Sequence, residues 1–204
     1  MDLMLTGMDE HTDDLRIPIA ISARHAHLCQ TTLDALFGPG YQLAPRNSLK
    51  QVGQYAAQEM IALVGPHGRI DHVRVLGPAR GEDQIEISRT DEVTLGLAAP
   101  LRVSGDLRNT PGVTLEGPRG PVSLTGGLVC ALRHIHMSPA DAVRLGVHDH
   151  EVVQVAVDGP RQVVFGNVVV RVGEAFRLEL HLDTDEGNAA GVEPGTTARI
   201  IRSL

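Results

Sequence analysis

Lysine is almost missing from this sequence: Lys50 stands alone against seventeen arginines in 204 residues. Chemistry built on a lysine Schiff base or a carbamylated lysine would rest on that one position and is disfavoured. Tryptophan is absent, and the aromatic rings are two tyrosines and three phenylalanines. The platforms on which nucleic-acid modules stack bases are therefore lacking, and a formal net charge of -7 repels a polyanion. Nucleic acid is not expected as a partner. Cysteine is limited to Cys29 and Cys130. With no secretory pattern ahead of them, a reducing cytoplasmic setting is expected, and both read as small buried hydrophobes rather than nucleophiles. No apolar run approaches the roughly 20 residues that a helix needs to cross a bilayer, so a soluble chain without a membrane partner is expected.

What is present is turn-rich and β-rich. Residues 1–16 are acidic and show no helical period, as expected of a loose N-terminal tail. From Ile17 onward come short apolar runs such as Met60 to Val64, Val73 to Leu76, Val152 to Val157 and Val163 to Val172. Gly65-Pro66-His67-Gly68, Gly77-Pro78, Gly117-Pro118 and Asp158-Gly159-Pro160 punctuate them. Short helices are expected from Thr32 to Phe37, before Gly38, and from Ala142 to Leu145. Ser138-Pro139-Ala140-Asp141 supplies the start of the second and Gly146 its end. The fold class expected is mainly β, with barrels capped by short helices.

An internal repeat carries the chemistry. Arg24-His25-Ala26-His27-Leu28 precedes one short helix, and Arg133-His134-Ile135-His136-Met137 precedes the other. Each half then offers an alternating strand that runs into an acidic turn, Ile85 to Asp91 and Leu180 to Asp185, with Glu86 and His181 in equivalent places. Residues two apart on an extended chain share a face, so His25 and His27 can present both rings to one ion, as can His134 and His136. Adding the third member gives His25, His27 and Glu86 in one set and His134, His136 and His181 in the other. Three protein donors with an open fourth position suit a catalytic rather than a structural zinc.

A third His-x-His, at His148-Asp149-His150, has no counterpart in the other half and reads as a solvated turn. Asp183-Thr184-Asp185 lacks the length and glycine position of a calcium loop and reads as the opening of a helix near Glu186. Arg80, in the loop before the Glu86 strand, is the first candidate for holding phosphate, followed by Arg24 and Arg133. Two other classes fit parts of this pattern. Metal-dependent hydrolases also open on His-x-His, although their barrels are larger and parallel. A cupin-like barrel would hold a single metal.

The run of motifs Arg24 to Leu28, Leu76-Gly77-Pro78-Ala79-Arg80, Glu86 to Asp91, Ser104-Gly105-Asp106, Arg133 to Pro139 and His181 to Ala189 resembles the phosphate propanoyltransferase family, the PduL-type phosphotransacylases, from Ile17 to the C-terminus. The resemblance implies two β-barrels, one from residues 24–131 and the other from 17–23 plus 132–204. It implies a dinuclear zinc site on the six ligands already named, with Arg80 as the phosphate-binding arginine. The reaction implied is acyl-CoA plus phosphate giving acyl phosphate plus coenzyme A, with a short acyl group. Gln51 and Gln54 fall in the segment implied to contact coenzyme A, where Val52 replaces the family's usual proline. Members housed in bacterial microcompartments carry an amphipathic N-terminal helix. The acidic residues 1–16 do not match one, and a free cytoplasmic enzyme, as a monomer or a homodimer, is expected.

Overall fold

Alternating apolar runs between glycine and proline turns become strands, and capped tetrapeptides become short helices. The computed structural model describes residues 15–201. In chain order these form β1 (Ile17–Ile21), β2 (His25–His27), α1 (Gln30–Phe37), β3 (Pro45–Ser48), β4 (Tyr55–Val64), β5 (Arg69–Gly77), β6 (Gln84–Glu86) and α2 (Arg89–Leu95). There follow β7 (Leu101–Arg102), β8 (Thr114–Gly117), β9 (Gly120–Ser123), β10 (Leu128–Ala131), β11 (His134–Met137) and α3 (Pro139–Leu145). The last elements are β12 (Val152–Val157), β13 (Val163–Val172), β14 (Glu179–Leu182), α4 (Thr184–Ala190) and β15 (Thr197–Ile201). Among the described residues no helix is long and apolar enough to cross a membrane.

The described residues divide into two compact units, 15–20 with 134–181 and 189–201, and 21–133 with 182–188. In the first, six strands close in the order β1-β14-β11-β13-β12-β15, which leaves no edge to pair with another chain. β11 is parallel to β13 and antiparallel to β14. Strand alternation sends Ile135 and Met137 to one face of β11 and His134 and His136 to the other. Ile135, Met137, Val155, Val157, Val168, Val170 and Leu180 are fully or almost fully buried, each contributing about 1.5–3 kcal/mol of apolar transfer.

The second unit is a nine-stranded sheet in the order β7-β10-β6-β2-β5-β4-β8-β9, with β3 paired to β4. The mainly β class expected is found, with one closed barrel among the described residues. Closure requires the outer strands to pair with each other. β7 is two residues long and bonds β10, while β9 is the far arm of the β8 hairpin. Residues 182–188 fall in this unit. Asp185 accepts a hydrogen bond from the Thr90 backbone at 2.9 Å, and Arg133 pairs with Glu186 at 3.1 Å.

The helices start at one recurring place. Ser88 and Asp91 form a reciprocal capping box at α2, and Ser138 and Asp141 do so at α3. Asp183 and Glu186 exchange the same pair of bonds at α4, at 3.0 and 2.7 Å. Each cap lies two residues after a member of the repeat: Glu86, His136 and His181. At α1 the same position is Cys29, which makes no side-chain cap. Asp83 supplies it from another segment, accepting from the Cys29 N–H at 2.8 Å and the Thr32 hydroxyl at 2.6 Å. α2 is the helix that sequence patterning missed, because Val93 and Leu95 alone are too few apolar positions to show a period.

Candidate metal centre

The first donor set lies on two antiparallel strands of the nine-stranded sheet, where β2 and β6 place His25 opposite Glu86 and His27 opposite Gln84. His25, His27 and Glu86 are all buried, with donor atoms within 4.8 Å of one another. The Ala23 carbonyl, which can only accept, lies 2.8 Å from His25 Nδ1. Nδ1–H therefore donates to that carbonyl, and Nε2 faces Glu86 Oε2 at 3.6 Å. His27 Nδ1 is a buried ring nitrogen with no hydrogen-bond partner, an arrangement that normally carries a free-energy cost. Burial, then the neighbouring His25 and Arg80, push the His27 pKa down to about 2, so the ring is neutral with a lone pair available.

Glu86 is itself held. Gln84 Oε1 accepts from the Gly105 N–H at 3.0 Å, which fixes the amide so that its NH2 group faces Glu86 Oε1 and Ser104 Oγ. The Ser104 hydroxyl donates to the same Oε1 at 2.9 Å. One carboxylate oxygen is thereby occupied, and Oε2 is turned toward His25.

The second set lies in the barrel on β11 and β14, with His134 opposite His181 and His136 opposite Glu179. The three histidines again gather their donors within 4.8 Å, and His136 Nδ1 stands 3.3 Å from His181 Nε2. Phe176 covers the His136 ring at 4.3 Å between centroids, with the Arg171 guanidinium 5.7 Å above Phe176. Burial, then His134, His181 and Arg171, push the His136 pKa down to about 2, so this ring too is neutral. Glu179 Oε2 lies 3.1 Å from His181 Nε2. Neutral imidazoles with at most one carboxylate are the donors zinc favours. Together with the unpartnered His27 nitrogen, they make both sets fit such an ion.

Arg80 is placed beside the first set by its backbone. Its N–H donates to the Leu28 carbonyl at 2.9 Å, and it forms a bridge with Cys29. Its charge is one of the influences on His27. Gln51 and Gln54 close the turn between β3 and β4, the Gln54 N–H donating to the Gln51 carbonyl at 3.2 Å. Gln51 is buried. Tyr55, next in the chain, pairs with Gly77 at the base of the Arg80 loop. The ring leaves no room there for any side chain, since a Cβ on Gly77 would lie 2.2 Å from it.

The other two arginines are engaged structurally. Arg24 pairs with buried Asp91 at 2.7 Å and Arg133 with Glu186 at 3.1 Å. His148-Asp149-His150 is an exposed turn in which Asp149 accepts from the Val172 N–H at 2.8 Å. Gln84, Asp83 and Glu179 were not singled out by the sequence, and Ser104 entered only within the Ser104-Gly105-Asp106 motif, without a role. The signal available for Gln84 and Glu179 was their position two residues before Glu86 and His181, on the same strand face.

Neither thiol is placed as a nucleophile. Burial pushes the Cys130 pKa up to about 11, and Cys29 Sγ sits against Thr32 and Asp83 at 3.5 and 3.6 Å. Cys29→Ala and Cys130→Ala are expected to keep metal content and turnover near the parent's. The second should lose about 1 kcal/mol of stability for a truncated core side chain. Steady-state rates and thermal melts check this; a folded, metal-loaded Cys→Ala chain without activity would require a thiol nucleophile.

Comparison with known proteins gives a consistent result. A family model described as Phosphate propanoyltransferase matches residues 18–193. The phosphate propanoyltransferase of Thermotoga maritima is 50% identical over 186 residues, covering 91% of this chain and 89% of its own. That of Salmonella typhimurium is 46% identical over 205 residues, covering 98% and 97%. That of Klebsiella pneumoniae is 51% identical over 185 residues, covering 89% and 88%.

Proposed function

The chain belongs to the phosphate propanoyltransferase family, an acyltransferase family acting with phosphate, and from that premise we propose that it moves a short acyl group between coenzyme A and inorganic phosphate using two zinc ions. One ion would be held by His25, His27 and Glu86 and the other by His134, His136 and His181. The observation that carries this reading is the duplication itself: two three-donor sets on equivalent antiparallel strand pairs, each gathered within 4.8 Å. When bound, the ions supply Lewis-acid polarisation of the thioester carbonyl and orientation of anionic oxygens.

The chain's own groups do the rest. The Arg80 guanidinium offers paired N–H donors that match two phosphate oxygens and hold the anion in one orientation. Gln84 and Ser104 keep Glu86 Oε1 occupied so that the carboxylate presents a single face. A phosphate oxygen attacks the thioester carbon, the carbon–sulfur bond breaks, and coenzyme A leaves with the electron pair as its thiolate. No acyl-enzyme is required. Holding the two reactants together can lower the barrier by roughly 7–11 kcal/mol in favourable geometries. Gln51 and Gln54 are assigned to the coenzyme side through their turn beside the Arg80 loop.

The test is phosphate-dependent release of free thiol from acetyl-, propionyl- and butyryl-coenzyme A, with elemental analysis of the same sample. Two zinc ions per chain and phosphate-dependent release are expected. One ion per chain would favour a single-metal cupin-like barrel, and thiol release that does not need phosphate would indicate a hydrolase.

A further inference from the structure

The loop that carries Arg80 crosses the end of a strand that carries metal donors. β5 runs parallel to β2 and β6 antiparallel to it, one on each side. Residues 78–83, which join β5 to β6, therefore pass over the point where β2 leads through Leu28 into α1. Pro78, Ala79, Gly81 and Glu82 are exposed, whereas Arg80 and Asp83 are half-buried. At Gly81 even an added Cβ would meet nothing within 4 Å. Packing along the loop is sparse, so its course depends on the bonds made at Arg80 and Asp83.

Asp83 joins the sheet to the helix. Its carbonyl oxygen lies against Gly127, where a Cβ would come within 2.3 Å of it, and this seats its backbone at the start of β10. Its carboxylate bonds the start of α1, one oxygen accepting the Cys29 N–H at 2.8 Å and the other the Thr32 hydroxyl at 2.6 Å. Cys29 is also the residue that bridges to Arg80, whose N–H donates to the Leu28 carbonyl at 2.9 Å. Asp83 and the Arg80 backbone thus grip one short junction, which begins directly after His27. Hydrogen bonds to an ionised carboxylate are roughly twice as strong as neutral ones, so this is the firmest anchor the loop has beside Arg80.

Resting on the phosphate role assigned to Arg80 above, we propose that Asp83 is a positioning residue for phosphate: it ties the loop to the start of α1, so that the Arg80 guanidinium meets the anion from a fixed place beside the first donor set. A displacement of about 1 Å in such a group can cost on the order of 100-fold in rate.

The experiment is a double-mutant cycle on the zinc-loaded full chain, read as kcat/KM for phosphate at saturating acyl-coenzyme A, with zinc content and thermal melts alongside. Asp83→Ala should keep both zinc ions and lose roughly 10- to 100-fold in kcat/KM for phosphate, with KM for acyl-coenzyme A close to the parent's. Asp83→Asn should recover most of that loss, because its oxygen still accepts from the Cys29 N–H and its NH2 can donate to the Thr32 hydroxyl. Thr32→Val, which removes one of the two bonds, should show a smaller loss of the same kind. In an Arg80→Ala background, Asp83→Ala should cost nothing further, since a residue that acts through another adds no effect once that other is gone.

Melting falls in Asp83→Ala on any account, because α1 loses its cap, and therefore decides nothing. An equal loss from Asp83→Ala with and without Arg80 would overturn the proposal by making Asp83 a residue of general stability. Parental phosphate kinetics in Asp83→Ala would overturn it, as would loss of zinc in that variant. Should Asp83→Ala not fold, parental phosphate kinetics in Thr32→Val together with an unrescued Asp83→Asn would overturn it equally. Parental phosphate kinetics in Arg80→Ala would instead overturn the phosphate role of Arg80, and this inference with it, whereas a loss in Arg80→Ala that Asp83→Ala does not share would overturn this inference alone.

Discussion

A chain carrying His27→Ala should hold one zinc ion instead of two and lose phosphate-dependent thiol release by on the order of a thousandfold. A metal that stabilises charge on a reacting oxygen contributes several kcal/mol, and each 1.36 kcal/mol is a factor of ten in rate. The fold should survive. In the absence of metal His27 Nδ1 is buried with no hydrogen-bond partner, and removing such an atom relieves roughly 1–3 kcal/mol of uncompensated desolvation. The space left by the ring has a cost of similar size and opposite sign. Chelator-treated parent and variant should therefore melt within a few degrees of each other, while added zinc should stabilise the parent more. An ion that binds the folded state alone adds about 2.7 kcal/mol at a hundredfold excess over its Kd. Two ions retained in His27→Ala would remove His27 from the ligand set.

The donor sets were legible because their chemistry is local in sequence. His25-x-His27 and His134-x-His136 need only the two-residue period of a strand to share a face, and the structure gathers each pair with the third donor expected for it. Helix α3 was legible because Ser138, Pro139, Asp141 and Gly146 are all capping signals, and each is used. The partners of the third donors were not. Gln84 is fixed by Gly105 and Ser104, about twenty positions away in sequence, and no single-strand pattern marks that encounter. The same holds for Asp83, which caps α1 across 51 to 54 residues of chain. Arg24 and Arg133 show the converse limit. An arginine beside a ligand looks available for phosphate until Asp91 and Glu186 are found against it. A repeated motif fixes repeated strand pairs, while closure into a barrel depends on the outermost strands, which the motif does not include.

Arg80→Ala is expected to separate phosphate handling from metal binding and folding. The backbone of this residue is held by its N–H to the Leu28 carbonyl and by its bridge to Cys29. Asp83 fastens the same loop to the start of α1. None of these contacts uses the guanidinium, so the loop should keep its course when the side chain is shortened. Zinc content and melting temperature should stay close to the parent's. The loss should fall on phosphate saturation or turnover, by about 2 kcal/mol or more for a charge-assisted contact made to the reacting anion, or roughly 30-fold in kcat/KM for phosphate. Arg80→Lys should recover little, because an ammonium group supplies a charge but not two parallel donors in a fixed fork. Saturation curves for phosphate at fixed acyl-coenzyme A decide the matter. Parental curves in Arg80→Ala would send the phosphate site elsewhere, and Arg24 and Arg133 would be poor substitutes, since either would first have to leave a carboxylate at 2.7 or 3.1 Å. Loss of zinc in the alanine variant would instead mean that the guanidinium supports the first donor set, whose His27 lies within reach of its charge.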